Sequence, residues 1–532
     1  MEFKAKFMTE RVLPPGIDEP TFRRALEAFA SAIGEQWVFD DPDADLPSYR
    51  DPYAIVDDNY FIPSAAIAPA SVEEVQACLR IANEFKIPLW PISGGRNLAY
   101  GGPAPRLPGT MTLDLKRMNR IIEVNEEFGY ALVEPGVTFF DLYDYLQKNN
   151  IKLWLDVPDP GWGTVMGTTL ERGAGYTPYG DHYMMQCGME VVLADGDVVR
   201  TGMGALPGST TWQLFKHNFG PHLDGLFTQS NFGVVTKIGK WLMPEPPGYR
   251  PYLITFDNED DIEPVVEILR PLKINMVVQN AATIRDLTLV AAINSTRSQY
   301  HDGDGPLPES AKKKIMADHD IGMWNFYGAL YGPPSIMDAH WEIIKGSFSQ
   351  VPGARFFFPE DRPKENDVLH HRGRTMAGIP TLTEFGFVNW VGGGGHIDFS
   401  PISPTTGRDA LKQYKMVKNQ ANRKGFDYMG VFIIGWREMH HVFTLVFDRS
   451  SAEVKKNAHE LFETLVEEAA AEGYGEYRTH LEFMDQIAAT YNWNDNALMR
   501  LNERLKDALD PNGILAPGKQ GIWPKQLREK KP

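Results

Sequence analysis

A mixed architecture of helices and strands in more than one domain is the fold class this sequence predicts, and three observations predict it. The chain is 532 residues long, beyond the size at which a single core usually stops growing. Within residues 71–102 a helix, a strand and a glycine turn follow one another, an α/β unit that offers its loop to a ligand. A Pro/Gly-rich seam, Met243-Pro-Glu-Pro-Pro-Gly248, separates short alternating elements from a second half of longer helices and strands.

Taken in order, Ser71-Val-Glu-Glu74 has capping-box spacing, and Val72, Val75, Leu79 and Ala82 recur behind it at helical period. Residues 87–92 then read as a strand, closed by Ser93-Gly94-Gly95-Arg96-Asn97. Such a turn can aim several backbone N–H groups at one point, an anion nest to which Arg96 adds a fixed charge. A diphosphate suits it, although two adjacent glycines also make a plain tight turn. The run is not Gly-x-Gly-x-x-Gly and no helix clearly follows, which fits a dinucleotide Rossmann unit poorly. Residues 120–124 and 130–136 read as a strand pair, 138–146 as a helix started by Thr138, and 189–201 as a hairpin turning at Asp195-Gly196. Past the seam, 431–435 and 441–447 read as strands, and 509–519 is again rich in turns.

An apolar share of 43% and a charged share of 23% are those of a globular protein with large cores. Lys and Arg number 53 against 70 Asp and Glu, a net charge of −17, so nucleic acid and anionic membranes are poor partners while a basic protein could be attracted. Cys78 and Cys187 are the only cysteines; both read as buried thiols of a reducing compartment, Cys78 on the apolar face of its helix. Residues 1–8 lack a signal-peptide apolar run, no 18-residue apolar window occurs, and the terminal Lys-Lys-Pro is not Ser-Lys-Leu. A cytoplasmic protein is expected.

Six further stretches carry a family likeness: Trp154-Leu-Asp-Val-Pro-Asp159, Glu171-Arg-Gly-Ala-Gly-Tyr-Thr-Pro-Tyr-Gly-Asp-His182, Gly392-Gly-Gly-Gly-His-Ile-Asp-Phe-Ser-Pro401, Arg437-Glu-Met-His-His441, Gly475-Glu-Tyr-Arg-Thr-His480 and Asp510-Pro-Asn-Gly-Ile-Leu-Ala-Pro-Gly-Lys519. With them the chain resembles the vanillyl-alcohol oxidase and eugenol oxidase group of FAD-dependent 4-phenol oxidases over nearly its whole length. The resemblance implies a two-domain α+β flavoprotein. Residues 1–246, completed by 475–532, would bind FAD, and 247–474 would form a cap over the isoalloxazine ring. It implies that Ser93, Gly94, Gly95, Arg96 and Asn97 hold the diphosphate. Gly163, Thr164, Glu171, Gly173, Gly233 and Val235 would line the rest of the cofactor, and Lys519 would bring a cation to it. His396 matches the position bonded covalently to the flavin 8α-methyl carbon. The related p-cresol methylhydroxylase branch uses a tyrosine for that bond, so a histidine favours the oxidase branch.

The resemblance also implies a phenol site. Free phenols have a pKa of about 10, so holding a phenolate at neutral pH takes roughly 4 kcal/mol. Two or three charge-assisted donors in a dry pocket can supply that. The family positions for these donors read Tyr100, Tyr477 and Arg478, and nothing in the sequence alone joins residue 100 to residue 477. Asp159 matches the acid beside flavin N5, and Tyr176 and His440 match cavity-wall positions. No metal is expected: His440 and His441 are strand neighbours on opposite faces, and Asp302-Gly-Asp-Gly305 is followed by Pro306 and lacks the spaced Glu of a calcium loop.

Two residues depart from the family pattern. Tyr53 stands in the segment where the fungal type member has a histidine that assists flavin attachment. Asp398 stands where relatives have an aromatic residue or a glycine. On a strand it shares a face with His396, so its carboxylate is expected to enter the cavity and to bond water or a hydroxyl on the para-substituent there, or to hold a proton itself; the alternative is a strand-end aspartate turned to solvent or bonded to a backbone N–H. The insertion after residues 204–207 that accompanies octamers is missing, so a homodimer is expected. The implied reaction takes a para-substituted phenol and O2 through a quinone methide to a hydrated or rearranged product and H2O2. A second reading is a dehydrogenase flavoprotein that passes electrons to a cytochrome, which an acidic surface would suit. A third is a carbohydrate or hydroxy-acid oxidase, which would not need the pair Tyr477-Arg478.

Overall fold

A computed structural model describes residues 11–362 and 367–530, so the N-terminal residues read above for a signal segment lie outside it, as do the last two. The helix Val72–Phe85 is capped by Ser71, whose side chain accepts from the Glu74 N–H. Glu74 does not return the bond to Ser71; it accepts from the N–H of Ala70 at 2.7 Å, one residue upstream of a standard box. Val75, Cys78, Leu79 and Ala82 are buried on one stripe, as their period requires. Leu89–Ile92 and Ala66–Ile67 both run parallel to Met111–Asp114, and Val38–Phe39 adds an antiparallel edge to this four-stranded sheet. After the glycine turn comes only the short 3-10 helix Leu98–Tyr100. Gly95 has φ +64°, and a Cβ there would lie 2.8 Å from Pro103 Cβ, so the turn needs glycine for both its backbone and its space.

A second sheet is antiparallel, in the order Ile121–Asn125, Tyr130–Val133, Val234–Trp241, Gln186–Val192, Val198–Arg200. Helix Phe139–Lys148 starts at Thr138 with a complete capping box to Asp141. The C-terminal segment returns to the first sheet: the Leu89 N–H donates to Ile514 O at 2.7 Å, and the Ala516 N–H donates to Leu89 O at 2.8 Å.

Beyond the seam lies the largest sheet, nine strands of antiparallel pairing. Its order is Arg355–Phe357, Tyr249–Phe256, Trp324–Tyr331, Ala282–Asp286, Gly430–Ile434, Glu438–Asp448, Pro401–Pro404, Gly475–Glu476, with Gly394–Phe399 also paired to Glu438–Asp448. Helices Ile262–Ile274, Gly407–Arg423 and Ala452–Ala471 join it in one core that includes Trp324, Phe326, Phe432 and Phe462. The two smaller sheets and the nine-stranded sheet are thus the frames of two domains. Cys78 and Cys187 are free and buried, and burial pushes both thiols up to about 12. Among the described residues no helix is long and apolar enough to cross a membrane.

Candidate active site

Two adjoining cavities hold most of the residues singled out above. The first is lined from both smaller sheets and takes in the turn Ser93 to Asn97, Gly163, Thr164, Glu171, Gly233, Val235 and Lys519. The hydroxyls of Ser93 and Thr164 are 2.7 Å apart, which ties the glycine turn to the segment that opens the helix Val165–Leu170. Lys519 Nζ lies 2.6 Å from Glu171 Oε1. Burial works to raise the Glu171 carboxyl, but Lys519 outweighs it and holds the group below the usual carboxylate range. A Cβ on Gly94 would come within 3.1 Å of Thr164 Cγ2, and one on Gly163 within 3.3 Å of Thr168 Oγ1. The wall is therefore backbone at both places, with Arg96 beside the turn. These residues fit a flavin dinucleotide: an anion nest for the diphosphate and side-chain-free walls for close approach.

The second cavity, about 210 Å³, shares Arg96, Asn97, Tyr100, Gly163 and Arg478 with the first and adds Asp159, Gly173, Tyr176, His396, Asp398 and Tyr477. Gly173 thus lines this cavity and not the first. Tyr100, Tyr477 and Arg478, separated by most of the chain, meet here. The Arg478 guanidinium carbon stands 4.2 Å over the Tyr100 ring, and its Nη2 donates to Asn97 Oδ1 at 3.0 Å. Burial pushes both tyrosine hydroxyls above their ordinary value, with Arg478 opposing. Burial also works against the Arg478 charge, but Tyr100, Tyr477 and Glu171 outweigh it and its pKa rises. Two hydroxyl donors and a permanent cation in a buried wall can hold an oxyanion.

Asp159 belongs to a separate group of charges. Arg285 Nη2 donates to its Oδ2 at 3.2 Å, and Arg372 Nη1 donates to the same oxygen. The two arginines also donate to Glu384, Arg285 at 2.8 Å and Arg372 at 3.0 Å. Arg372 stacks over Tyr176 at 4.1 Å. Burial lifts the Asp159 carboxyl above the usual range; Arg372 opposes this and Glu384 adds to it. Burial would raise Glu384 as well, but Arg285 and Arg372 hold it at about 2. Residues 285, 372 and 384 belong to no local motif. The one hint is that Ala282–Asp286, a strand buried at every position, contains an arginine and an aspartate.

His396 and Asp398 face the cavity from Gly394–Phe399, with His396 Nε2 3.9 Å from Asp398 Oδ2. The Thr444 hydroxyl donates to Asp398 Oδ1 at 3.0 Å, a partner the sequence did not announce. Tyr53 and Phe387 pack on His396, ring centres 5.0 and 4.8 Å away. His440, two residues before Val442 on the same strand, meets Tyr477 edge-on at 4.8 Å and is not among the residues that line the cavity. His441 is buried against Phe432 at 4.3 Å, with Nε2 2.7 Å from the Tyr428 hydroxyl, and burial drives it down to about 3. Among the described residues no group of three or more His, Cys, Asp or Glu is placed to hold a metal. Asp51 Oδ2 and His480 Nε2, 2.7 Å apart and buried, join the Tyr53 segment to the chain just past Arg478.

Known proteins share this fold. Residues 63–202 match the FAD binding domain family, and 330–520 match the C-terminal domain of FAD linked oxidases. The chain is 43% identical to the 4-cresol dehydrogenase (hydroxylating) flavoprotein subunit of Pseudomonas putida, over 96% of this chain and 98% of that protein. It superposes on 4-ethylphenol oxidase from Gulosibacter chungangensis, solved as an isoeugenol complex, with a TM-score of 0.95 and 44% identity over 97% of this chain and 100% of that one. On p-cresol methylhydroxylase with substrate bound the TM-score is 0.94 at 43% identity, over 96% and 99%. Fold and cleft together are those of a two-domain FAD-binding oxidoreductase. The chain belongs to the vanillyl-alcohol oxidase/p-cresol methylhydroxylase family.

Proposed function

We propose that the protein is a FAD-dependent oxidase of para-substituted phenols, 4-alkylphenols first among them. The observation that carries this is the convergence of Tyr100, Tyr477 and Arg478 on one cavity that also holds Asp159. Bound FAD would accept a hydride from the benzylic carbon and deliver the electrons to O2 as H2O2. The chain's own residues do the rest. Tyr100, Tyr477 and Arg478 hold the phenolate oxygen, whose charge drives the benzylic C–H bond to break as hydride and leaves a p-quinone methide. Asp159 directs water onto the benzylic carbon, or removes a proton to give an alkene. Ser93 to Asn97 hold the diphosphate, His396 carries the flavin covalently, residues 1–246 with 475–532 form the FAD domain under a 247–474 cap, and the protein is a homodimer.

Full-length similarity to a dehydrogenase flavoprotein subunit supports a second reading, in which the electrons pass to a cytochrome partner. Identities of 44% to an oxidase and 43% to the dehydrogenase are level, so the lean toward the oxidase rests on His396 alone. Anaerobic mixing with a panel of 4-substituted phenols, followed by O2, separates the readings. We expect 4-ethylphenol to bleach the flavin and O2 to restore it with one H2O2 per turnover. Fast reoxidation by a c-type cytochrome with slow reoxidation by O2 would establish the dehydrogenase, and no reduction by any 4-alkylphenol would overturn both.

Acid precipitation should leave the yellow colour with the protein. His396→Ala should still bind FAD, release it all to the acid supernatant and be reduced more slowly, because the bond tunes the flavin. Colour lost to the supernatant from the unaltered protein would refute the link.

A further inference from the structure

We propose that Asp398 is the base that receives the phenol proton, relayed by the hydroxyl of Tyr100 or Tyr477, so that phenolate forms in the cavity without releasing a proton to solvent. This rests on the phenol reading above and adds to it the fate of the proton, which a buried site must place somewhere. In the step, the phenol O–H bond breaks, a proton passes through a tyrosine hydroxyl that gives one proton as it takes another, and an O–H bond forms at Asp398 Oδ2. No electrons change hands.

Of the groups that face this end of the cavity, His440 meets Tyr477 edge-on with its Nε2 turned to Glu438 Oε1 at 3.9 Å, and the others leave one acceptor. Arg478 is a guanidinium and accepts nothing. Burial pushes the Tyr100 and Tyr477 hydroxyls up, so each relays a proton without parting with it for good. Glu476, behind them, is buried, its two carboxyl oxygens already accept from the Ser400 N–H at 2.7 and 2.8 Å, and burial lifts its carboxyl above the usual range with the Ser400 N–H opposing. Burial depresses the His396 imidazole, with Asp398 opposing, which makes it a poor acceptor. Thr444 is already spent as a donor to Asp398 Oδ1, which leaves Oδ2 open, 3.9 Å from His396.

Charge points the same way. With Arg96, also in this cavity's lining, stacked on Trp162 at 4.7 Å, the groups just named give this end of the wall one cation, Arg478, and one carboxylate, Asp398. A neutral phenol that hands its proton to Asp398 leaves phenolate against Arg478 and the local sum unchanged. Releasing the proton to solvent would leave two anions facing one cation in a buried space. The charge of Asp398 bears on Tyr100 and Tyr477, whereas Asp159 and Tyr176 feel Arg372, Arg285 and Glu384. The proposal places Asp398 at the phenolic oxygen, where the sequence alone pointed to the para-substituent, to water or to a held proton.

The holoenzyme is titrated with 4-tert-butylphenol, which has no benzylic hydrogen to lose. Calorimetry in buffers of different ionisation enthalpy counts protons, and the ultraviolet difference spectrum reports phenolate. The unaltered protein should show phenolate, no proton released, and a Kd flat from about pH 6 to 8. Asp398→Asn should release one proton per phenol, with Kd falling about tenfold per pH unit. A proton released by the unaltered protein, or a bound phenol without phenolate absorption, overturns the proposal even if Asp398→Asn fails to fold. If 4-ethylphenol does not reduce the flavin at all, the functional reading fails instead; if it does, those results sink the Asp398 role alone.

Discussion

Arg478→Ala should slow flavin reduction by a 4-alkylphenol about a hundredfold or more, and Tyr477→Phe about tenfold or more. The reason is the arrangement at one end of the cavity. Arg478 supplies the permanent charge there, 4.2 Å over the Tyr100 ring and hydrogen bonded to Asn97. Without it the oxyanion keeps two neutral donors, with Asp398 and Glu476 close by. Phenolate then costs what it costs in a polar but uncharged pocket, and hydride leaves only from the anion. Tyr477→Phe removes a donor but leaves the charge, hence the smaller effect. Arg478→Lys should fall between them, because a point charge replaces a planar fork. Stopped-flow reduction under nitrogen measures all three, and the red-shifted phenolate spectrum of a bound inhibitor should vanish with Arg478→Ala. Unchanged rates in both Arg478→Ala and Tyr477→Phe would refute the phenolate site and reopen the carbohydrate or hydroxy-acid reading.

Arg372→Met should produce the largest loss of stability, about 3–5 kcal/mol, because it breaks a buried set of charges by removing one partner. Arg285, Arg372 and Glu384 are buried, and Asp159 and Glu384 share the two arginines. With Arg372 gone, two carboxylates face Arg285 alone. The sign of the pH dependence follows from Glu384. Its folded pKa of about 2 lies below its ordinary 4.5, so it contributes stability above 4.5 that is lost as the pH falls toward 2. Arg372→Met lifts the folded value and removes much of that contribution. The melting temperatures of the variant and the unaltered protein should therefore differ most at neutral pH and converge below about 4.5. Asp159, whose folded pKa is raised, acts in the opposite sense, being relieved as the pH falls through its own titration. Arg372→Met with Glu384→Gln should recover part of the loss, since the second change removes the stranded charge. Melting within error of the unaltered protein at pH 7 would show that the network carries no folding energy.

Reading along the chain was enough where one turn or one strand decides the outcome. The Ser71 and Thr138 caps start helices as their spacing predicts, the stripe from Val75 to Ala82 is buried, and the hairpin around Asp195-Gly196 forms. Gly94-Gly95 makes a turn on a ligand-sized cleft because its backbone conformation and lack of Cβ are properties of those residues alone. Strand alternation likewise carries His396 and Asp398 to one face. The family motifs extended this to a list of site residues, but not to their geometry. That His440 meets Tyr477 edge-on, that Gly173 lines the second cavity, and that Asp159 is gripped by Arg285 and Arg372 depend on how the nine-stranded sheet is laid over the first domain. Charges brought together from residues 159, 285, 372 and 384 leave no periodicity behind them. Their pairing is decided by burial, which makes an unmatched charge costly and so selects its partners in space, wherever in the chain they lie.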